Sequence, residues 1–381
     1  MFSEQERTRR LQALQELMER EELSAVYLLG NGTVGTNAFG CFRYFVDNRV
    51  FFFLMSVVVP RGEEPVAVVN NTMGKLNLVG RSFIREAEIN VDQLGGVIDI
   101  LKRRGITYGR LGVLKEVMPT SWMLRIKEEL PRLELVDMAD KIFALRAHKS
   151  KEEADTQRIG GQLADAGYQA ICREIRPGMY ENEVIAAAER AMQRLGCEET
   201  FMLITSGRFS KKNNAMPTLH NTASINRRIE KGDSVALEIT PRYNGYWTQI
   251  VRTISVGEEN ADLDEFRRVV VESIRAAVAK IRPGVTVSEM VKAARLVIEA
   301  EGYEMRLPCG HIAGVDLNEE RVTEDNPRQL EEGMLVILHP TVVKPGMTNG
   351  IYWGESYLVT ENGCEPVMQS GSELCVTAEQ A

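Results

Sequence analysis

The chain has 381 residues, which is enough for two domains with sizeable hydrophobic cores. Hydrophobic residues make up 44% and charged residues 26%, as is usual in soluble globular proteins. The net charge of -8 and the lack of a long basic run argue against a nucleic-acid partner, because phosphate binding requires a local excess of Lys and Arg.

The N-terminal segment, the apolar runs and the cysteines give no sign of secretion or membrane insertion. The first 23 residues have no apolar signal core, and the longest apolar run, 51–59, is too short to cross a bilayer. The six cysteines form no C-x-x-C pair, which argues against a disulfide framework or a zinc ribbon. We therefore expect reduced cysteines, a cytoplasmic protein and no membrane partner.

The first third of the chain alternates strand and helix patterns. The predicted elements, in chain order, are a helix before residue 23, strands at 24–29, 51–60, 65–70 and 110–115, and a helix at 121–129. The turn 61–64 joins two of the strands as a hairpin. This pattern predicts an α/β domain with a mixed sheet over residues 1–147. A dinucleotide-binding site is not expected, because no G-x-G-x-x-G motif follows a predicted strand.

A long helix marks the start of a second domain, residues 148–381. Ser150 is the predicted N-cap and Glu153 its capping-box partner, and the helix continues to about Glu174. The motif Ile-Arg-Pro-Gly that follows at Ile175 recurs at Ile281. Two copies of a helix–turn–helix–strand unit predict a pseudo-twofold domain, whose natural site is the cleft between the copies.

Four segments of the second half carry a family resemblance. They are 232–253, beginning Gly-Asp-Ser-Val-Ala-Leu-Glu; 310–314, Gly-His-Ile-Ala-Gly; 332–340, ending His-Pro; and 354–363, beginning Gly-Glu-Ser-Tyr. In this order they resemble segments of the creatinase, prolidase and methionine aminopeptidase family. The resemblance implies the pita-bread fold for residues 148–381, a creatinase-like accessory domain for 1–147, and a homodimer.

The peptidases of this family hold two divalent metals with Asp, Asp, His, Glu and Glu. The matching residues here are Glu238, Gln249, His311, His339 and Glu355. Two carboxylates would face four positive charges in a buried cleft, which is costly by several kcal/mol. We therefore expect no metal cofactor and no peptidase activity. The alternative is one divalent ion held by His311, His339 and Glu355, an accepted mononuclear ligand set.

Other residues at matched positions have expected roles in the site. His220 stands where the family keeps a His over the substrate, and imidazole moves protons well near neutral pH. Arg252 matches an arginine that pairs with site carboxylates. Gln249, Tyr246 and Trp353 are, with Arg252, the candidates for contacting the substrate.

The favoured function is that of a creatinase-like hydrolase that cleaves a C–N bond of a small, polar, cationic substrate without a dinuclear metal centre. His220 would act as base and then acid, and Glu238 and Glu355 would bind the positive end of the substrate. His311 and His339 would polarise the scissile group or orient the water. The alternatives are a mononuclear metalloenzyme and a catalytically inactive pita-bread binding module.

Overall fold

The computed structural model describes residues 1–32, 35–37, 40–49, 54–210, 212, 225–306, 308–347 and 350–377. The chain divides into two units, Met1–Ala147 and His148–Ala381. Within the described ranges, no helix has both the length and the apolar character needed to cross a membrane.

The first unit is built around a mixed sheet with strand order β4-β3-β2-β1-β5-β6. Its strands are β1 (Leu23–Asn31), β2 (Leu54–Pro60), β3 (Val66–Val69), β4 (Glu86–Ile89), β5 (Tyr108–Val113) and β6 (Arg132–Asp137). Its helices are α1 (Glu4–Arg20), α2 (Gly40–Val46), α3 (Thr72–Leu78), α4 (Gln93–Arg103), α5 (Thr120–Glu129) and α6 (Ala139–Ala147).

The hydrophobic pattern explains this sheet. The strand β1 is almost entirely buried, and it pairs antiparallel with β2 and parallel with β5. The hairpin predicted around 61–64 is confirmed, because β2 and β3 pair antiparallel across it. The predicted apolar strand at 51–60 is confirmed from Leu54 onward, and residues 51–53 lie outside the described residues.

A buried ion pair stabilises the packing of α1 in the first unit. Glu6 accepts hydrogen bonds from Arg9 and Arg10 at 2.6 Å, and the Arg10 guanidinium donates to the Tyr44 carbonyl at 2.8 Å. Burial alone would raise the pKa of Glu6, but the hydrogen bond from Arg9 and the charge of Arg10 outweigh it and lower the pKa to about 2. Glu6 is therefore an ionised structural residue.

The second unit contains four long helices among its described residues, together with three sheets. The helices are α7 (Lys151–Glu174), α8 (Glu181–Gln193), α9 (Ala261–Val278) and α10 (Val287–Ala300). The strands are β7 (Glu199–Gly207), β8 (Ser234–Tyr243), β9 (Tyr246–Trp247), β10 (Ile250–Val256), β11 (Glu304–Arg306), β12 (Gly310–Ala313), β13 (Glu320–Arg321), β14 (Leu335–Leu338), β15 (Thr341–Val343), β16 (Gly350–Tyr352), β17 (Glu355–Thr360), β18 (Gly363–Pro366) and β19 (Val376–Thr377).

The helix signals in the sequence are confirmed. The side chain of Ser150 accepts from the Glu153 backbone, and the Glu153 side chain accepts from the Ser150 backbone, which forms the predicted capping box of α7. Both Pro-Gly motifs lie between paired helices, α7 with α8 and α9 with α10. In each turn the glycine, Gly178 or Gly284, has a left-handed φ of 96° or 85°, which a side chain would disfavour.

The three sheets bring distant segments together. Their strand orders are β19-β10-β8-β7, β11-β15-β16 and β13-β12-β14-β17-β18. A bridge between Val251 and Gly354 joins the first sheet to the chain just before β17. The core that supports them packs α7 and α8 against alternate residues of β8, which include Val235, Leu237 and Ile239.

Candidate active site

Glu238 lies in the middle of β8, opposite Val251 of β10. Because strand side chains alternate, the burial of Leu237 and Ile239 in the helix-facing core directs Glu238 to the other face of the sheet. Its side chain is nevertheless buried, with 7% exposure. Burial raises the pKa of Glu238 to about 7, against a smaller opposing effect of a hydrogen bond from Tyr352.

Tyr352, the last residue of β16, links two residues that are far apart in the chain. Its hydroxyl group donates to Glu238 and lies 2.8 Å from Nδ1 of His339. With the tyrosine proton on the Glu238 side, His339 donates its Nδ1–H to the phenol oxygen. This arrangement leaves Nε2 of His339 as an acceptor. Glu238, Tyr352 and His339 thus form one hydrogen-bonded chain, which we call the relay.

His311 lies beside the relay, with its ring centroid 5.3 Å from that of His339. Burial, with a smaller effect of the neighbouring His339, lowers the pKa of His311 to about 3, and burial lowers that of His339 to about 4. Both rings are therefore neutral at pH 7. Nε2 of His311 donates to Oε1 of Gln249 at 3.1 Å, and in this orientation Nε2 of Gln249 is buried without a hydrogen-bond partner among the described atoms.

Glu355 is held by the buried Arg252. Nη2 of Arg252 donates to one carboxylate oxygen at 2.8 Å, and the Tyr357 hydroxyl donates to the other at 2.8 Å. Nη1 of Arg252 also donates to the Gly354 carbonyl at 2.7 Å, and the guanidinium lies 4.7 Å from the ring centroid of Trp353. Glu355 is thus fixed in orientation and its charge is balanced.

The structure brings most of the predicted site residues together. Glu238, Gln249, His311 and His339 belong to one group with Tyr352, and strand register places Glu355 opposite Leu338, next to His339. The remaining predicted residues are placed differently. Trp353 is 2% exposed beneath Arg252, Tyr246 donates its hydroxyl hydrogen to Glu153 of α7, and His220 lies outside the described residues.

Tyr352 is the residue that sequence reasoning missed. Its only signal in the sequence is that it precedes the matched Glu355 by three positions. Its contact with Glu238 depends on the bridge between Val251 and Gly354, two segments that are distant in sequence, and no local pattern reveals it.

The chain is similar to several characterised proteins. The model of Metallopeptidase family M24 matches residues 155–361, and that of the Creatinase/Prolidase N-terminal domain matches residues 10–148. The chain is 32% identical over 283 residues to the Xaa-Pro dipeptidase of Pyrococcus furiosus, covering 73% of this chain and 78% of that protein. It is 26% identical over 396 residues to the creatinase of a Bacillus species, and the match covers 96% of this chain and 91% of that protein. The X-Pro aminopeptidase structure of Thermotoga maritima is similar with a TM-score of 0.83, 20% identity, and coverage of 96% of this chain and 99% of that one.

These comparisons confirm the family resemblance and the predicted fold, an α/β chain with a creatinase-like N-terminal domain and a C-terminal pita-bread domain. They contradict the expected function. The prediction of a non-peptidase hydrolase that works without a metal is wrong, because relatives of this chain are Xaa-Pro dipeptidases. The expectation that peptidase activity is absent is wrong for the same reason. The expectation of no cofactor is wrong for the same reason, since the matched family is one of metallopeptidases. The names of these relatives favour neither of the two alternatives, a mononuclear metalloenzyme and a catalytically inactive binding module.

The family implies a metal centre, and the donor chemistry of this chain can be compared with it. Of the matched residues, Gln249 carries no charge, and the charge of Glu355 is balanced by Arg252. No group of three or more His, Cys, Asp or Glu side chains among the described residues is arranged to hold a metal ion. A pair of divalent ions would leave a large positive charge buried among these side chains. These side chains do not fit the two-ion centre of the family.

Proposed function

The chain belongs to Metallopeptidase family M24, and on this premise we propose that it hydrolyses the peptide bond of dipeptides whose second residue is proline. The observation that carries the proposal is the 32% identity to an Xaa-Pro dipeptidase over 73% of this chain. The family model matches residues 155–361, which contain the relay. The proposal thus rests on the relatives, and the geometry of the relay supports it.

Peptide hydrolysis requires one proton to leave the attacking water and one to reach the departing amine nitrogen. The relay contains groups suited to both transfers. Glu238 is a buried carboxyl group, Tyr352 bridges it at hydrogen-bond distance, and His339 retains an acceptor nitrogen. We infer that Glu238 exchanges protons with water and the leaving amine, and that Tyr352 and His339 position it.

The substrate also requires polar groups that fix its orientation. The buried Nε2 of Gln249 has no partner among the described atoms, and buried polar groups are nearly always hydrogen-bonded in native structures. A carbonyl or carboxylate oxygen of a bound dipeptide would satisfy this donor. Because Arg252 and Tyr357 fix Glu355, its carboxylate can face a substrate ammonium group without reorganisation.

The test is an assay of purified protein for release of proline from an Xaa-Pro dipeptide. The assay is run after chelation and with added Mn²⁺, Co²⁺ or Zn²⁺, because the matched family is one of metallopeptidases. An Xaa-Ala dipeptide is the substrate control, and the Glu304→Gln variant, altered at an exposed strand residue, is the protein control. We expect proline release, and we expect Glu238→Gln to slow it by roughly 10²–10⁴-fold. The absence of proline release under every metal condition would contradict the proposal.

Three further properties are proposed on the same basis. We propose a homodimer, which the family resemblance supports and light scattering on a sizing column would test. We propose a cytoplasmic location, which the six free cysteines support and cell fractionation would test. We propose a small-molecule substrate with no nucleic-acid or membrane partner, in keeping with the net charge of -8; binding to labelled DNA or to anionic vesicles at physiological salt would contradict it.

A further inference from the structure

Two thiol groups meet in the second unit, away from the relay. Cys172 lies near the end of α7, and Cys375 immediately precedes β19. Both side chains pack against the same hydrophobic core, α7 packs against β19, and the two thiols are within hydrogen-bonding reach of each other. Both residues are half-buried, so a small reagent can reach them while protein surrounds them on other sides.

The segment that carries Cys375 is fastened to the rest of the unit by polar contacts. We call residues 368–377 the C-terminal strap. Asp165 of α7 accepts from the backbone amides of Gln369 and Ser370 at 2.6 Å and 3.0 Å. The Cys375 carbonyl accepts from the Ser255 amide at 3.0 Å, which aligns β19 with β10. The strap therefore holds Cys375 beside Cys172 by contacts on both sides of the thiol pair.

The pKa values of the two thiols are shifted in opposite directions. The hydrogen bond from Cys375 lowers the pKa of Cys172, helped by a hydrogen bond from Tyr168 and by the charge of Arg252. The same thiol–thiol hydrogen bond, together with burial, raises the pKa of Cys375. Because the thiolate is the attacking form, Cys172 is the nucleophile of the pair and Cys375 the resolving thiol.

We propose that Cys172 and Cys375 are a redox modification site that forms a reversible disulfide by exchange with a low-molecular-weight disulfide. The Cys172 thiolate attacks one sulfur of the small disulfide, forming a mixed disulfide and releasing one small thiolate. Cys375 then loses its proton to solvent and attacks the Cys172 sulfur, which releases the second small thiolate. Two protein thiols are oxidised and one small disulfide is reduced to two thiols.

The bond would join the strap covalently to α7. A loop of roughly 200 residues would be closed, and closing a long loop restricts the unfolded chain. The effect would reach Arg252 through Tyr168, whose hydroxyl hydrogen-bonds to Cys172 and whose ring lies 5.8 Å from the guanidinium of Arg252. Arg252 in turn donates to the Ser370 carbonyl of the strap at 3.3 Å and to Glu355.

The experiment incubates the reduced, full-length protein with oxidised glutathione. Free thiols are then blocked with N-ethylmaleimide, and the peptides are mapped by mass spectrometry. We expect a link between the peptides that contain Cys172 and Cys375, which dithiothreitol removes. Cys375→Ser should leave Cys172 as a mixed disulfide with glutathione, and the control Cys364→Ser, another half-buried cysteine, should leave the link intact.

A second measurement compares the thermal stability of the oxidised and reduced protein. We expect the Tm of the linked form to be higher by several degrees, and we expect no such difference in Cys172→Ser. Blocking of both thiols by N-ethylmaleimide after the incubation, or a link from Cys172 to a different cysteine, would overturn the proposal. A Cys172–Cys375 disulfide that forms without a rise in Tm would overturn the inference that this bond stabilises the strap against α7.

Discussion

Two buried glutamates, one in each unit, have opposite electrostatic environments. Glu6 in α1 is 3% exposed and contacts Arg9 and Arg10, and its pKa is lowered to about 2. Glu238 in β8 is 7% exposed and has Tyr352 as its hydrogen-bond donor, and burial raises its pKa to about 7. Burial disfavours the ionised form of both residues. The partner decides whether the carboxylate is a fixed structural charge or a group able to exchange a proton near neutral pH.

The largest effect should come from removing the exchangeable proton. Glu238→Gln should lower kcat/KM for the dipeptide by roughly 10²–10⁴-fold, because an amide cannot act as acid or base. Glu6→Gln should leave kcat/KM unchanged, because Glu6 belongs to the fold of the other unit. Steady-state kinetics, with circular dichroism to check folding, measures both values. Equal losses in the two variants would remove the functional distinction between them.

For the free energy of unfolding, Glu6→Gln should have a larger effect than Glu238→Gln. Glu6→Gln leaves Arg10 buried without its carboxylate, and breaking a buried ion pair costs about 3–5 kcal/mol of unfolding free energy. Urea denaturation measures this cost. The control Glu4→Gln alters an exposed residue of the same helix and should change stability by less than about 1 kcal/mol. A small cost for Glu6→Gln would mean that the ion pair does not stabilise α1.

The pH dependence of stability should have opposite signs at the two sites. The folded pKa of Glu238 is raised, so its contribution is fully present below about pH 4.5 and is lost as the pH rises through about 7. The loss is about 3 kcal/mol at most. The folded pKa of Glu6 is lowered, so its contribution is present above pH 4.5 and is lost as the pH falls through about 2.

Unfolding free energies of wild type and each glutamine variant, measured with EDTA between pH 3 and 8, provide the test. The difference between wild type and Glu238→Gln should decrease toward high pH, and the difference between wild type and Glu6→Gln should decrease toward low pH. If the two stability differences changed with pH in the same way, the hydrogen-bond partners of Glu238 and Glu6 would not set the pKa values of these residues.

A smaller effect is expected from the bridge between Glu238 and His339. Tyr352→Phe keeps the ring but removes the hydroxyl group that both residues contact, and we expect a loss of roughly 10–100-fold in kcat/KM, as for other groups that orient a site residue. Tyr303→Phe is the matched control, because it removes a hydroxyl group that contacts Glu265. If Tyr352→Phe and the control have equal activity, Tyr352 does not position Glu238.

The sequence by itself determined the local elements and the family. The Ser150 and Glu153 capping box, the Pro-Gly turns and the apolar strands can be read from the sequence, because each depends on neighbours within a few residues. The ordered family segments also identified Glu238, Gln249, His311, His339 and Glu355 as positions of one site. The inference from their charges to a non-peptidase without a metal was wrong, since the relatives are Xaa-Pro dipeptidases.

Only the tertiary structure decided the partners of these residues. The pairing of Leu338 with Glu355 and the bridge from Val251 to Gly354 bring separate strands together. This register makes Tyr352 a link within the site, and it commits Arg252 to Glu355. The contacts of Arg252 with Glu355 and of Val251 with Gly354 join residues 103 positions apart in sequence, and a pKa depends on the burial and charges that such contacts create.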